Sequence, residues 1–383
     1  MSVTAPRGFR AAGVTAGLKE SGDRDVAVVI NDGPSRAAAA VFTSNRVHAA
    51  PVKWSRQVVS GGRVRAVVLN SGGANACTGP GGFQDTHATA ERLGAALGDS
   101  AGEMVVCSTG LIGERLPMDK LLPAVDAAVA EADRSGGVHA ADAIRTTDTV
   151  VKISFRRADG YVIGGMAKGA AMLAPSLATM LSVVTTDADL TAEELDSALR
   201  SATAVTFDRL DTDGCMSTND TVLLMASGAS GVKPDRKDFT RALTEVCADL
   251  ARQMQLDAEG ASKMITIEVV GAASEADAVT VGRSVARNNL LKCAIAGSDP
   301  NWGRVLSAVG TTDAVFDPDR LNVAINGTWV CRDGAPGDDR SKVNLSGREV
   351  TITVDLSAGP HSALILTTDL TEAYVHENSA YST

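Results

Sequence analysis

Short apolar runs alternate with longer helical patterns along the chain. The runs are typical of β-strands, and the first three end within a few residues at Asn, Gly or Ser. An Ala-Asp-Gly turn at residues 158–160 separates two runs and predicts a β-hairpin. The predicted strands are Val26–Ile30, Ala38–Phe42, Val64–Leu69, Met104–Cys107, Val150–Phe155, Tyr161–Ala167, Thr179–Thr185 and Val222–Met225.

The longer segments are predicted to be helices. Thr191 followed by Glu194 has the spacing of a capping box, so a helix is expected to begin there. Proline in the first turn favours a helix at Pro117–Ala132. The other predicted helices are Gln84–Leu97 and Asp235–Leu256. The alternation continues through Met264–Val270, Ser274–Asn288 and Lys292–Ala296, and it ends in a β-rich tail at Val350–Leu356 and Ala363–Thr367.

This alternation predicts layered sheets covered by helices, with several antiparallel strands. The fold class is therefore α+β or mixed α/β, and the sequence does not give the order of the strands. No internal repeat and no Pro/Gly/Ser linker divides the chain. With 383 residues, 44% of them hydrophobic, it is long enough for a large core and about two domains.

Charge and hydropathy exclude some classes of partner. The formal net charge is −10, which disfavours nucleic acid because phosphate backbones are also anionic. The sequence has no run of 18 apolar residues, so no membrane span is predicted. The start of the chain has no apolar stretch of the signal-peptide type, so we expect a cytoplasmic protein.

The metal-ligating residue types are scattered. None of the six cysteines forms a C-x-x-C pair or lies near a histidine at metal-ligand spacing, so they are interpreted as reduced core cysteines. Three segments imitate known sites, but none has the required spacing. Ser71–Gly82 and Gly165–Gly169 do not fit a P-loop. Asp211–Gly214 resembles the middle of a calcium loop, but in that register Arg209 would occupy the first ligand position. All three are predicted to be turns, and no metal or cofactor is expected.

One segment changes the interpretation. Residues 168–186 read KGAAMLAPSLATMLSVVTT, which by pattern alone predicts a loop ended by Pro175 and a buried strand from Thr179. The segment resembles the ornithine acetyltransferase family, also called bifunctional glutamate N-acetyltransferase/amino-acid acetyltransferase. That family's hallmark is K-G-x-G-M-x-x-P-x-x-A-T-M-L, from which this sequence departs once, at Ala171.

The resemblance extends over nearly the whole chain in collinear order. Each short motif is weak alone, but the combination is specific. The matching segments begin at Gly8, Asn75, Ser108, Thr146, Phe207, Ser217, Asp257, Gly297 and Glu377 and read GF, NACTG, STGLIG, TTDT, FDRLD, STNDT, DAEG, GSDPNWGR and ENSAY.

The resemblance implies self-cleavage between Ala178 and Thr179. Two chains, 1–178 and 179–383, would result and remain associated. Thr179 would then be an N-terminal nucleophile whose free amine, with a pKa of roughly 7.7–8.0, takes the hydroxyl proton. We accordingly expect a layered helix–sheet–sheet–helix architecture like that of N-terminal-nucleophile enzymes, with a smaller C-terminal α/β part.

The remaining site residues also follow from the resemblance. Thr109, through its hydroxyl, and Gly110, through its backbone N–H, correspond to an oxyanion hole; without the resemblance they would be an ordinary strand-to-loop turn. Lys168 would hold a substrate carboxylate, the alternative being an exposed hairpin lysine. Glu259 would hold a substrate ammonium, the alternative being a solvated helix end. The other substrate-binding positions are Thr146, with Thr147 as an alternative, Asn378 and Thr383.

The implied reaction is acetyl transfer from N2-acetyl-L-ornithine to L-glutamate through an acetyl ester on Thr179. Some family members also take acetyl from acetyl-CoA. The family pattern suggests a heterotetramer of two α chains and two β chains. Two alternatives remain: a self-cleaving amidohydrolase or aminopeptidase that passes the acyl group to water, and an uncleaved small-molecule binding protein.

Overall fold

The computed structural model describes residues 2–173 and 180–380. Within them the chain forms two compact units. The first unit comprises residues 2–173, 180–208 and 215–254, and the second comprises residues 209–214 and 255–380.

The first unit contains two sheets. Its strands are β1 (Phe9–Val14), β2 (Val26–Asn31), β3 (Ala38–Phe42), β4 (Ala66–Ser71), β5 (Met104–Thr109), β6 (Lys152–Arg157), β7 (Val162–Lys168), β8 (Leu181–Thr186) and β9 (Thr221–Ala226). Its helices are α1 (Ala50–Val59), α2 (Gly79–Leu97), α3 (Met118–Glu131), α4 (Gly137–Ala143), α5 (Ala192–Ala204) and α6 (Arg236–Leu256), the last of which ends in the second unit.

The first sheet has the order β1-β2-β4-β5, with β4 and β5 parallel and the other pairs antiparallel. Strand β2 is buried on both faces, which explains its unbroken apolar sequence. Val26, Val28 and Ile30 pack with apolar residues of α2 and α3. Ala27 and Val29 point to the opposite face and pack against the second sheet.

The second sheet has the order β3-β9-β8-β7-β6. Strand β8 lies between β7, to which it is antiparallel, and β9, to which it is parallel. Met166 on β7 faces the core between the two sheets. Its neighbour Gly165 faces α6, where an added Cβ would lie 3.0 Å from Leu250 and 3.4 Å from Val246. The layers of the first unit are therefore stacked in the order helices, sheet, sheet, helices, as expected.

The second unit is the expected smaller C-terminal α/β part. Its strands are β10 (Met264–Ala272), β11 (Asn322–Ile325), β12 (Thr328–Arg332), β13 (Ala335–Pro336), β14 (Glu349–Asp355) and β15 (His361–Thr368). Its helices are α7 (Glu275–Ala286), α8 (Asn289–Ala296), α9 (Trp302–Val309) and α10 (Glu372–Ala380). The strand order is β13-β12-β11-β14-β10-β15, and apolar residues of α7, α8 and α9 complete the core.

Most predicted elements are present, and the Thr191–Glu194 capping box is confirmed in both of its hydrogen bonds. Lys292–Ala296, one segment of the predicted alternation, lies within α8. Helix α2 begins at Gly79, five residues before its predicted start. Glycines there are poor helix formers, but a Cβ at Gly82 would lie 1.8 Å from the Thr78 hydroxyl, so close packing requires glycine.

Within the described structure the six cysteines are in the reduced thiol form, but they are not all core residues. Cys107, Cys247 and Cys331 are buried, whereas Cys77, Cys215 and Cys293 are exposed. A search of residues 2–173 and 180–380 finds no helix with the length and apolar character that crossing a membrane requires.

Candidate functional site

The proposed oxyanion-hole residues lie where β5 ends. Thr109 is buried, and its carbonyl accepts hydrogen bonds from the N–H groups of Gly72 and Gly73, both at 3.0 Å. Gly110 has a φ of +127°, and a Cβ there would lie 2.5 Å from the Gly73 nitrogen, so the turn requires glycine. Neither the Thr109 hydroxyl nor the Gly110 N–H has a hydrogen-bond partner among the described residues. Both donors are therefore available to a ligand.

Lys168 is buried rather than exposed, so the exposed-hairpin alternative is wrong. It ends β7, next to Lys152 on β6, and the two side chains are 2% and 0% exposed. Asp148 lies between them, with Oδ1 2.6 Å from Lys152 Nζ and Oδ2 3.9 Å from Lys168 Nζ. The Asp148 carboxylate therefore lies between two buried ammonium groups and offsets their charge.

The Asp148 carboxylate also fixes the backbone around it. Its Oδ2 accepts the Thr146 N–H at 3.1 Å, and its Oδ1 accepts the Gly169 N–H at 2.7 Å. Burial alone would raise the pKa of this carboxyl, but the Lys168 and Lys152 charges and the Gly169 N–H outweigh burial and lower the pKa to about 2. Sequence reasoning gave Asp148 no role, although its T-T-D-T motif was part of the resemblance.

A second buried carboxyl lies directly before β9. Asp220 Oδ1 accepts the backbone N–H of Met180 at 3.0 Å. The preceding residue, Asn219, donates from its side-chain amide to the carbonyls of Ser108 and Ala74, at 2.9 and 2.7 Å. These bonds tie the start of β9 to the end of β5, immediately before Thr109. The S-T-N-D motif was the only sequence signal for this arrangement.

Glu259 and Asn378 come together in the second unit. The Asn378 side-chain amide donates to Glu259 Oε2 at 2.9 Å. Glu259 is half-buried and Asn378 is exposed, and both lie far apart in sequence. The three remaining assigned residues, Ala178, Thr179 and Thr383, lie outside the described residues.

The first unit thus brings together Thr109, Gly110, Thr146 and Lys168, with Asp148 and Asp220 as buried neighbours that sequence reasoning missed.

The Asp211 loop is a turn in which the carboxylate accepts hydrogen bonds from the Gly214 N–H at 3.1 Å and from Arg287 Nε at 2.8 Å. Within the described part of the chain, no group of three or more His, Cys, Asp or Glu residues is arranged to hold a metal ion.

Two curated relatives match this chain over its full length. A family model described as "ArgJ family" matches residues 10–383. The chain is 75% identical over 383 residues to the arginine biosynthesis bifunctional protein ArgJ of Thermobifida fusca, with 100% of both chains covered. It is 67% identical over 382 residues to the protein of the same name from Streptomyces coelicolor, again with 100% of both covered.

A solved structure of the ornithine acetyltransferase of Mycobacterium tuberculosis, complexed with ornithine, is 56% identical to the matched region. The match covers 47% of this chain and 96% of that chain, with a TM-score of 0.43.

The low pKa of Asp148 predicts a dependence of stability on pH. Its folded pKa of about 2 lies below the ordinary value of 3.8, so its contribution to stability is complete above pH 4 and is lost as the pH falls towards 2. That contribution is about 2 kcal/mol. In Asp148→Asn this acid-dependent component should be absent, and loss of the partner of two buried lysines should lower the free energy of unfolding at pH 7 by about 3–5 kcal/mol.

Chemical denaturation at a series of pH values measures both effects. Asp159→Asn, which removes an exposed carboxylate in the turn between β6 and β7, is the matched control and should keep the wild-type profile. If the free energy of unfolding depends on pH in the same way for Asp148→Asn and wild type, Asp148 is not the ionised partner of the two buried lysines.

Proposed function

We propose that this chain, which belongs to the ArgJ family, transfers the acetyl group of N2-acetyl-L-ornithine to L-glutamate in arginine biosynthesis. The products are ornithine and N-acetylglutamate. The observation that carries the proposal is the end-to-end 75% identity to an arginine biosynthesis bifunctional protein. The word "bifunctional" in the names of the relatives supports a second activity, acetylation of glutamate from acetyl-CoA.

The nucleophile of the proposal is Thr179, freed by self-cleavage after Ala178. Before cleavage the Thr179 nitrogen is an amide and cannot act as a base. Afterwards it is an amine with a pKa of roughly 7.7–8.0, which can take the hydroxyl proton as the oxygen attacks the acetyl carbonyl. The acetyl group then rests on Thr179 as an ester until glutamate accepts it, which implies ping-pong kinetics.

Sheet pairing supports the persistence of a cleaved protomer. The proposed cut falls in the connection between β7 and β8. Chain 1–178 would contribute β3, β6 and β7 to the second sheet, and chain 179–383 would contribute β8 and β9. The ladder from Ile163↔Thr186 to Lys168↔Leu181 would then join the two chains. Breaking one peptide bond leaves these hydrogen bonds and the buried side chains around them in place.

The charges of the described residues suit an amino-acid substrate. In the first unit, the buried ammonium of Lys168 suits a substrate carboxylate. In the second unit, taken by itself, the Glu259 carboxylate accepts the Asn378 amide and suits a substrate ammonium. Thr146 and Thr383 complete the proposed substrate-binding residues. We further propose a heterotetramer of two 1–178 and two 179–383 chains, acting in the cytoplasm.

Transfer is distinguished from hydrolysis by the acceptor. Purified protein given acetylornithine should form N-acetylglutamate when glutamate is present and should release little acetate when glutamate is absent. Chromatographic measurement of acetate and N-acetylglutamate, with and without glutamate, tests this expectation. Acetate release at the same rate in both reactions would instead identify an amidohydrolase.

Cleavage is tested by intact mass under denaturing conditions. Two polypeptides, 1–178 and 179–383, are expected, the second with threonine at its N-terminus. Thr179→Ala should give one uncut, inactive chain because the hydroxyl is lost. Thr179→Ser, which keeps the hydroxyl and the amine, is the control and should still be cut. A full-length wild-type chain that transfers acetyl would refute the mechanism.

The oxyanion assignment predicts the effect of Thr109→Ala. Loss of one preorganised donor should slow both self-cleavage and acetyl transfer, the latter by about 10²–10³-fold in kcat. Cleavage is followed on denaturing gels and transfer by steady-state kinetics. The matched control is Thr89→Ala, because Thr89 is another buried threonine, whose hydroxyl bonds only the Asp85 carbonyl on α2. Unchanged rates in Thr109→Ala would exclude its hydroxyl from the oxyanion hole.

A further inference from the structure

The two oxygens of the Asp220 carboxyl have different surroundings. Asp220 is fully buried. Its Oδ1 accepts the Met180 N–H at 3.0 Å, whereas its Oδ2 is buried without a hydrogen-bond partner among the described residues. A buried, unpartnered oxygen is far more costly on an ionised carboxylate than on a neutral acid. The geometry therefore favours the protonated acid, with its proton on the unpartnered Oδ2.

The groups around Asp220 agree with a neutral acid. Burial raises the pKa of this carboxyl well above its ordinary value of 3.8. The Met180 N–H, the hydroxyls of Ser217 and Thr43 and the charge of Lys168 all act in the opposite direction, but burial outweighs them. A carboxyl kept neutral at neutral pH can donate a proton and take one back, which a side-chain amide cannot do.

Asp220 also lies beside the proposed cut. Met180 directly follows Thr179, and one residue of backbone spans at most about 3.6 Å. Met180 is held at both of its backbone groups, since its N–H donates to Asp220 and its carbonyl accepts the Thr221 N–H at 3.1 Å. The acid is thus hydrogen-bonded to the residue that directly follows the proposed cut in the sequence.

We propose that Asp220 carries the proton from the Thr179 hydroxyl to the Thr179 nitrogen during self-cleavage, an inference that rests on the proposed cut. The hydroxyl oxygen bonds to the Ala178 carbonyl carbon, and the Ala178–Thr179 C–N bond breaks. Oδ2 gives its proton to the departing nitrogen, and the carboxylate so formed takes the hydroxyl proton. Water then hydrolyses the resulting ester and releases the Ala178 carboxylic acid and the Thr179 hydroxyl.

The test compares Asp220→Asn with wild type during cell-free synthesis, with cleavage followed on denaturing gels. Asparagine keeps the acceptor for the Met180 N–H and, like the native side chain, is neutral, so the variant should fold. Cleavage should nevertheless slow at least about 100-fold, because the amide cannot exchange a proton. Hydroxylamine, which cleaves esters, should not restore cleavage, because the ester does not form.

The matched control is Asp25→Asn. Asp25 is also fully buried and accepts backbone N–H groups, those of Ala16, Leu18 and Lys19, but it lies outside the site. This variant should be cut at the wild-type rate in its folded fraction. If Asp220→Asn does not fold, Asp220→Glu decides: slow cleavage supports proton transfer, and a folded, uncut Glu variant counts against it.

Two results would overturn the inference while leaving the proposed function intact. One is wild-type cleavage of Asp220→Asn, and the other is rapid hydroxylamine cleavage of that variant, which would reveal an ester formed without Asp220. A wild-type chain that is never cut would overturn both proposals.

Discussion

The pairing of β8 with β7 on one side and β9 on the other is the interaction on which the candidate site depends. Lys168 pairs with Leu181, and Leu181 pairs with Thr221. One end of β7 and the starts of β8 and β9 therefore meet at the same edge of the sheet, which brings Lys168, Met180 and Asp220 together. Because β7, β8 and β9 are buried along nearly their whole length, a slip by one residue would turn core side chains to the opposite face, and this fixes the register.

The pKa values of two buried aspartates at this edge are shifted in opposite directions for a clear physical reason. Asp148 faces two ammonium groups and two backbone N–H groups, so its negative charge is stabilised despite burial. At Asp220, burial outweighs the Met180 N–H, the Ser217 and Thr43 hydroxyls and the Lys168 charge, and raises the pKa well above its ordinary value. Similar burial with different partners thus gives one structural anion and one exchangeable acid.

Much of the fold could be predicted from the sequence, because local pattern determines it. Strands β2 and β3 follow from unbroken apolar runs, and the start of α5 follows from its capping box. Long-range contacts were beyond such reasoning. Neither the burial of Lys168 nor the bond from Asn219 to Ser108 has a local signature, because their partners are distant in sequence. The family motifs marked these residues, but the raised pKa of Asp220 follows only from its buried surroundings.

In the proposed chemistry, the proton of the Thr179 hydroxyl is accepted by one group during self-cleavage and by a different group during acetyl transfer. After the cut, the Thr179 amine can act as the base. Before the cut that nitrogen is an amide, so another group must take the proton. Asp148 is a poor candidate, since its low pKa makes it a weak base and its oxygens are already engaged. Asp220 can give its Oδ2 proton to the departing nitrogen, and the carboxylate left behind, whose pKa is raised by burial, can take the hydroxyl proton; it is no longer required once the amine exists.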